Sequence, residues 1–201
     1  MADQDPIAKK TDEELARDAR AGSRRSFEEL ACRYKRRLFV YLRPRLGSDE
    51  DAEDMVQDTF LKLFRSIDRY DPAYRFSTWL YTSANRLAID SFRKSAVARD
   101  RSTALSGQDI PDPAVVCEGE AGATGVWAVA RTLGADRYRV LWLRYGEDMT
   151  IEEIGAVLGR SRLAVRVLLH RARTSLVGRL GPEAGLAART PSGAARQAAG
   201  D

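Results

Sequence analysis

Between residues 69 and 94 the chain sets six aromatic rings, Tyr70, Tyr74, Phe76, Trp79, Tyr81 and Phe92, among five cations, Arg69, Arg75, Arg86, Arg93 and Lys94. A protein core has no use for so many positive charges, and a solvated face has no use for so many rings. Rings interleaved with guanidinium groups make a platform for unpaired nucleic-acid bases, each stacked base contributing about 1–3 kcal/mol while the cations follow the phosphates. Trp79, Leu80 and Phe92 can instead be plain core, and at least one or two of the aromatics are expected to serve there.

A second constellation lies near the C-terminus. The stretch "MTIEEIGAVLGRSRLAVRVLLHRARTSL" reads as helix, tight turn, helix. Thr150 and Glu153 form a capping-box pair, Gly159 is placed to end the first helix, and Ser161 to cap the second. This is the helix-turn-helix pattern, whose second helix can enter a major groove. Residues 160–179 carry Arg160, Arg162, Arg166, Arg171, Arg173 and Arg179 without one acid. Such a face supplies phosphate contacts through counterion release. The lone histidine, His170, falls among them, either as a plain surface residue or as a DNA contact.

Catalytic chemistry finds little support. One histidine, no spaced metal ligands, no Gly-rich phosphate loop and no nucleophile motif argue against an enzyme, a metal, a cofactor or a small-molecule substrate. Cys32 and Cys117 stand far apart without ligand spacing, so neither a disulfide framework nor a zinc site is expected. No apolar run approaches the roughly 20 residues of a membrane helix, and the N-terminus lacks the apolar segment of a signal peptide, which points to the cytoplasm. The net charge of +4 and pI near 9.2 conceal blocks of opposite sign. Residues 33–45 are basic, through Arg33, Lys35, Arg36, Arg37, Arg43 and Arg45. Residues 49–58 are acidic, through Asp49, Glu50, Asp51, Glu53, Asp54 and Asp58. Segregation of this kind suggests more than one partner surface.

The elements that must position these groups are helical throughout. Thr11 and Glu14 open one helix; Phe27, Leu30, Tyr34, Leu38 and Tyr41 keep helical spacing in the next, which Pro44 and Gly47 are expected to end. Ser48 can cap an acidic helix with a buried stripe of Ala52, Met55, Val56, Phe60, Leu63, Phe64 and Ile67. After the turn at Asp71 and Pro72, Ser77 or Thr78 can cap a helix running through Phe92. The expected architecture is all-α: two small helical domains, 1–95 and 126–180, joined by a flexible linker over 96–125, with a disordered tail over 181–201.

The segments "DAEDMVQDTFLKLF", "FSTWLY", "AIDSFRK" and "EEIGAVLGRSRLAVRVLLHRAR", in this order and spacing, resemble the extracytoplasmic-function group of bacterial RNA polymerase sigma factors, of the sigma-70 family. The resemblance spans about residues 11–180. It implies a region 2 domain over 1–95 and a region 4 helix-turn-helix domain over 126–180. Asp51, Glu53, Asp54, Gln57 and Asp58 would dock on the clamp helices of the polymerase largest subunit, and the flap would be a further polymerase contact. Tyr70, Phe76, Trp79, Asn85, Arg86, Arg93 and Lys94 would open the promoter minus-10 element and hold its bases. Arg162, Arg166, Val167, His170, Arg171 and Arg173 would meet the minus-35 element. An anti-sigma protein is implied as a further partner.

The sequence departs from the family pattern at three places. It has Asn85-Arg86 where Arg-Asn is usual, Val167 and Leu168 where small polar and basic residues are common, and Gly134 where a proline often precedes the first region 4 helix. Two other readings are an autonomous helix-turn-helix regulator and a decoy that binds polymerase or an anti-sigma protein without initiating transcription. The first leaves the acidic helix and the aromatic platform without a role.

Overall fold

A computed structural model describes the chain over residues 7–101 and 124–180, with side chains over 7–93 and 125–180. Every regular element among these residues is helical: α1 (Asp12–Arg20), α2 (Arg24–Leu46), α3 (Asp49–Arg65), α4 (Phe76–Arg101), α5 (Thr124–Arg131), α6 (Ala135–Leu141), α7 (Ile151–Leu158) and α8 (Arg162–Leu180). A short 3-10 turn (Ile67–Arg69) follows α3, and a π turn (Trp142–Gly146) continues α6. Both expected capping boxes form, Thr11 with Glu14 and Thr150 with Glu153. Ser48 accepts from the Asp51 amide at the start of α3, where the acids of the first turn meet the positive end of the helix dipole.

Helix ends depart from sequence expectation in three places. The α2 helix runs through Pro44 and stops at Leu46, where Gly47 caps it with φ of +86°. Pro44 has no N–H to donate to the Val40 carbonyl four residues earlier, and that carbonyl accepts instead from the Tyr138 hydroxyl at 3.2 Å. Second, α4 begins at Phe76, so Ser77 and Thr78 lie inside its first turn instead of capping it; at the other end it continues to Arg101, beyond residue 95. Third, Gly134 caps α6 with φ of +88°, a value that proline, fixed near −65°, does not reach. Glycine at this position therefore sets the chain direction into α6. Cys117, most of the linker and the tail fall outside the described residues.

The N-terminal helices α1 to α4 close around Leu15, Leu30, Leu38, Leu63 and Leu80, each fully buried. Burial of a side chain of this size contributes roughly 1.5–3 kcal/mol. The C-terminal helices enclose Tyr138, Leu141, Leu143, Ile154, Val165 and Leu169. The two sets meet along a seam, where α6 and α7 lie against α2 and α4. Tyr138 donates to the Val40 carbonyl at 3.2 Å, and Arg139 donates to the Tyr41 hydroxyl at 3.1 Å. Tyr81 donates to the Glu147 carboxylate at 2.6 Å, and that carboxylate also pairs with Arg37 at 2.8 Å. Among the described residues, no helix is long and apolar enough to cross a membrane.

Candidate nucleic-acid and protein interfaces

Helix α3 separates two faces by spacing alone. Ala52, Met55, Val56, Thr59 and Leu63 point into the core, while Asp51, Glu53, Asp54, Gln57 and Asp58 are all exposed. None of these four acids joins an ion pair among the described residues. Leu61 and Phe64 continue the same outward surface at 52% and 46% exposure, so it offers apolar area as well as charge. Phe64, read from spacing as a core residue, reaches the core with one ring edge only, against Phe27 at 5.1 Å between centroids. Phe64 was missed as a surface contributor because apolar type at helical spacing reads as burial, and Leu61, which falls outside that stripe, was given no role.

The ring-rich stretch divides into two layers. Tyr70 and Phe76 are 1% and 0% exposed, and together with Tyr34 and Trp79 they form one aromatic cluster. Tyr70 donates to the Tyr74 carbonyl at 2.7 Å, and burial pushes its hydroxyl up to about 12. Both rings thus lie beneath the surface, where they support the partly buried Trp79. Tyr74, at 65% exposure, Arg75, Arg86, Phe92 and Arg93 face outward. Lys94 belongs to α4, but its side chain lies outside the described set. Asn85 faces the other way: it is buried in the seam, where it donates to the Val157 carbonyl at 2.7 Å and accepts from Arg45 and Arg139.

Three of the six cations in the basic segment 33–45 form ion pairs within the molecule. Arg33 pairs with Asp12 and Glu29, Arg37 with Glu147, and Arg43 with Asp49. The C-terminal arginines are different. In the helix-turn-helix, Gly159 takes φ of +63°, and a Cβ on Gly155 would stand 2.8 Å from the Arg160 carbonyl, so the turn closes tightly. Ser161 accepts from the Ala164 amide at 3.3 Å at the start of α8. That helix buries Val165, Leu169 and Ala172 and exposes Arg162, Arg166, Val167, His170, Arg171 and Arg173. Arg162 pairs with Glu152 at 3.2 Å, and Arg173 lies over the Tyr145 ring while donating to its hydroxyl. Arg166, His170 and Arg171 have no ion pair among the described residues. The arrangement presents a helix of three-turn reach with free donors, suited to a major groove.

Comparison with known proteins matches two segments of the chain to two family models. The model of the family "Sigma-70 region 2" matches residues 30–97, and that of "Sigma-70, region 4" matches residues 131–176. The chain is 32% identical over 165 residues to RNA polymerase sigma factor CarQ of Myxococcus xanthus, covering 81% of this chain and 93% of that one. It is 29% identical over 174 residues to ECF RNA polymerase sigma factor SigW of Bacillus subtilis (strain 168), covering 80% and 91%. Among solved structures, CnrH in complex with the cytosolic domain of CnrY aligns with a TM-score of 0.56 at 27% identity, over 89% of this chain and 99% of that one. The sigma factor RpoE in complex with the anti-sigma factor NepR from Bartonella quintana has the same fold, with a TM-score of 0.61 at 21% identity over 77% and 96%.

Proposed function

We propose, because this chain belongs to the extracytoplasmic-function group of the sigma-70 family of RNA polymerase sigma factors, that its α3 face docks on polymerase while α4 and α8 read the two promoter elements. As a sigma factor it directs core RNA polymerase to specific promoters. It acts in the cytoplasm without catalytic activity of its own. The observation that carries the residue assignment is the co-occurrence, on one chain, of an exposed acidic and apolar α3 face and an exposed α8 face on which Arg166 and Arg171 have no ion pair among the described residues.

Asp51, Glu53, Asp54, Gln57 and Asp58, with Leu61 and Phe64, form the polymerase contact at the largest-subunit clamp helices. Trp79, Tyr74, Arg75, Arg86 and Arg93 meet the minus-10 element, and Tyr70 and Phe76 hold Trp79 in place from below. Arg166, Val167 and His170 approach base edges of the minus-35 element, and Arg171 contacts phosphate. An anti-sigma protein is a partner; the similar CnrH is itself seen bound to another protein, the cytosolic domain of CnrY.

Run-off transcription with core polymerase and pooled promoter fragments, with and without the protein, tests the function. New start sites sharing two upstream elements are expected. Polymerase binding without any new start would shift the reading to a decoy, and tight binding to free duplex without polymerase would shift it to an autonomous regulator.

A further inference from the structure

The seam between the two halves contains a cavity of about 170 Å³. Three guanidinium groups converge on it, Arg45 from α2, Arg139 from α6 and Arg160 from the helix-turn-helix turn, and Asp136 is the one carboxylate in its lining. Asp136 is shared: Arg160 reaches it at 2.7 Å and Arg139 at 3.5 Å. Arg45 has no carboxylate within ion-pair distance among the described residues. It donates to the Asn85 side-chain amide oxygen at 2.9 Å, an acceptor that it shares with Arg139, and its guanidinium lies over the Phe92 ring at 5.1 Å from the centroid. Burial and the neighbouring Arg139 charge push Arg45 below its ordinary value.

Three cations facing one carboxylate leave an excess of positive charge in a partly dry space, a costly arrangement unless an anion completes it. Arg139 is nearly inaccessible, with its side chain 8% exposed, so water does not screen its charge as it would that of a surface arginine. The planar forks of arginine match the oxygens of a phosphate group. Ile89, Leu158 and Leu168 add apolar side chains to the lining. Asn85 and Leu168, two of the residues at which the sequence departs from its family pattern, therefore both border this one cavity.

We propose that the seam cavity binds a small phosphate-bearing anion, its phosphate held by Arg45, Arg139 and Arg160 and its remainder lying on Ile89, Leu158 and Leu168. The ligand is bound and not turned over. Because the site draws arginines from both halves, the anion binds only when the halves are together. By linkage it then favours the closed arrangement over any state in which they part.

Isothermal titration of the full-length chain with pyrophosphate and with ADP, at ionic strength held constant with chloride, tests this. One saturable site is expected, with affinity lowered about tenfold by Arg45→Gln and by Arg160→Gln, as loss of a charge-assisted hydrogen bond implies. Arg20→Gln, on the exposed end of α1, is expected to leave it unchanged. Tighter binding of ADP would identify a nucleotide-like ligand, and tighter binding of pyrophosphate a free inorganic one; both uphold the site. No saturable binding of either probe at millimolar concentration overturns it, as does an equal loss in all three variants, which would show general attraction to a basic protein. Circular dichroism establishes that each variant is folded; if Arg45→Gln is not, the more exposed Arg160→Gln decides.

Discussion

Asp54 and Asp58 stand one turn apart on the outer face of α3, exposed and without an ion pair among the described residues. Replacing both by lysine reverses the charge of the face and touches no core contact, so stability should change by within about 0.5 kcal/mol per site. Affinity for core polymerase should fall by about tenfold or more, measured by fluorescence anisotropy of the labelled chain; unchanged affinity would remove α3 as the docking surface. On α8, Arg166→Ala should lose about 1–3 kcal/mol and relax base preference at one minus-35 position, read from transcription of a promoter library. A uniform loss over all sequences would make Arg166 a phosphate contact instead. The exposure of these residues was legible in the sequence because helical period sorts charge from apolar type. The burial of Tyr70, Phe76 and Asn85 was not legible. Ring and cation content is the same for a platform and for the layer supporting it, and a single asparagine carries no sign that arginines from another segment will surround it.

At the level of elements, local chemistry was the readable part. Thr11, Ser48, Thr150, Gly159 and Ser161 each act at the helix end where their type predicts, because a cap needs only residues within one turn. Boundaries set by more distant packing were less legible: α2 passes through Pro44, and α4 starts at Phe76 because that ring is needed in the core. The turn between α7 and α8 gives a direct test. Gly159→Val forces a β-branched residue to φ near +63°, a left-handed conformation that costs about 1–2 kcal/mol, and the turn sets the angle at which α8 is presented. The thermal midpoint should fall and minus-35-dependent transcription should fall with it, while polymerase affinity through α3 stays the same. Equal loss of both activities would show that the two halves depend on each other for folding.

The whole molecule poses a problem of distance. Promoter positions minus 35 and minus 10 lie roughly 25 base pairs apart, about 85 Å of duplex at ~3.4 Å per base pair, whereas the two halves here are in contact. Residues 102–123 reach at most about 75 Å when extended, enough with the helices themselves to span the elements once the seam parts. Glu147 ties that seam to pH. Burial raises its carboxyl above the ordinary carboxylate value, and hydrogen bonds from Tyr81 and the charge of Arg37 oppose the shift without cancelling it. Between the ordinary and the raised value, the closed chain keeps a proton that a chain with Glu147 in water has released. The closed form therefore binds more protons, and its stability falls as pH rises through that window. Thermal midpoints recorded across mildly acid pH should show this slope, and small-angle scattering should show a larger radius of gyration at its upper end. Glu147→Gln keeps an acceptor for Tyr81 but does not titrate, so its profile should be flatter over the same window. A slope identical to that of the unsubstituted chain would assign the dependence to other carboxylates and leave opening of the seam independent of Glu147.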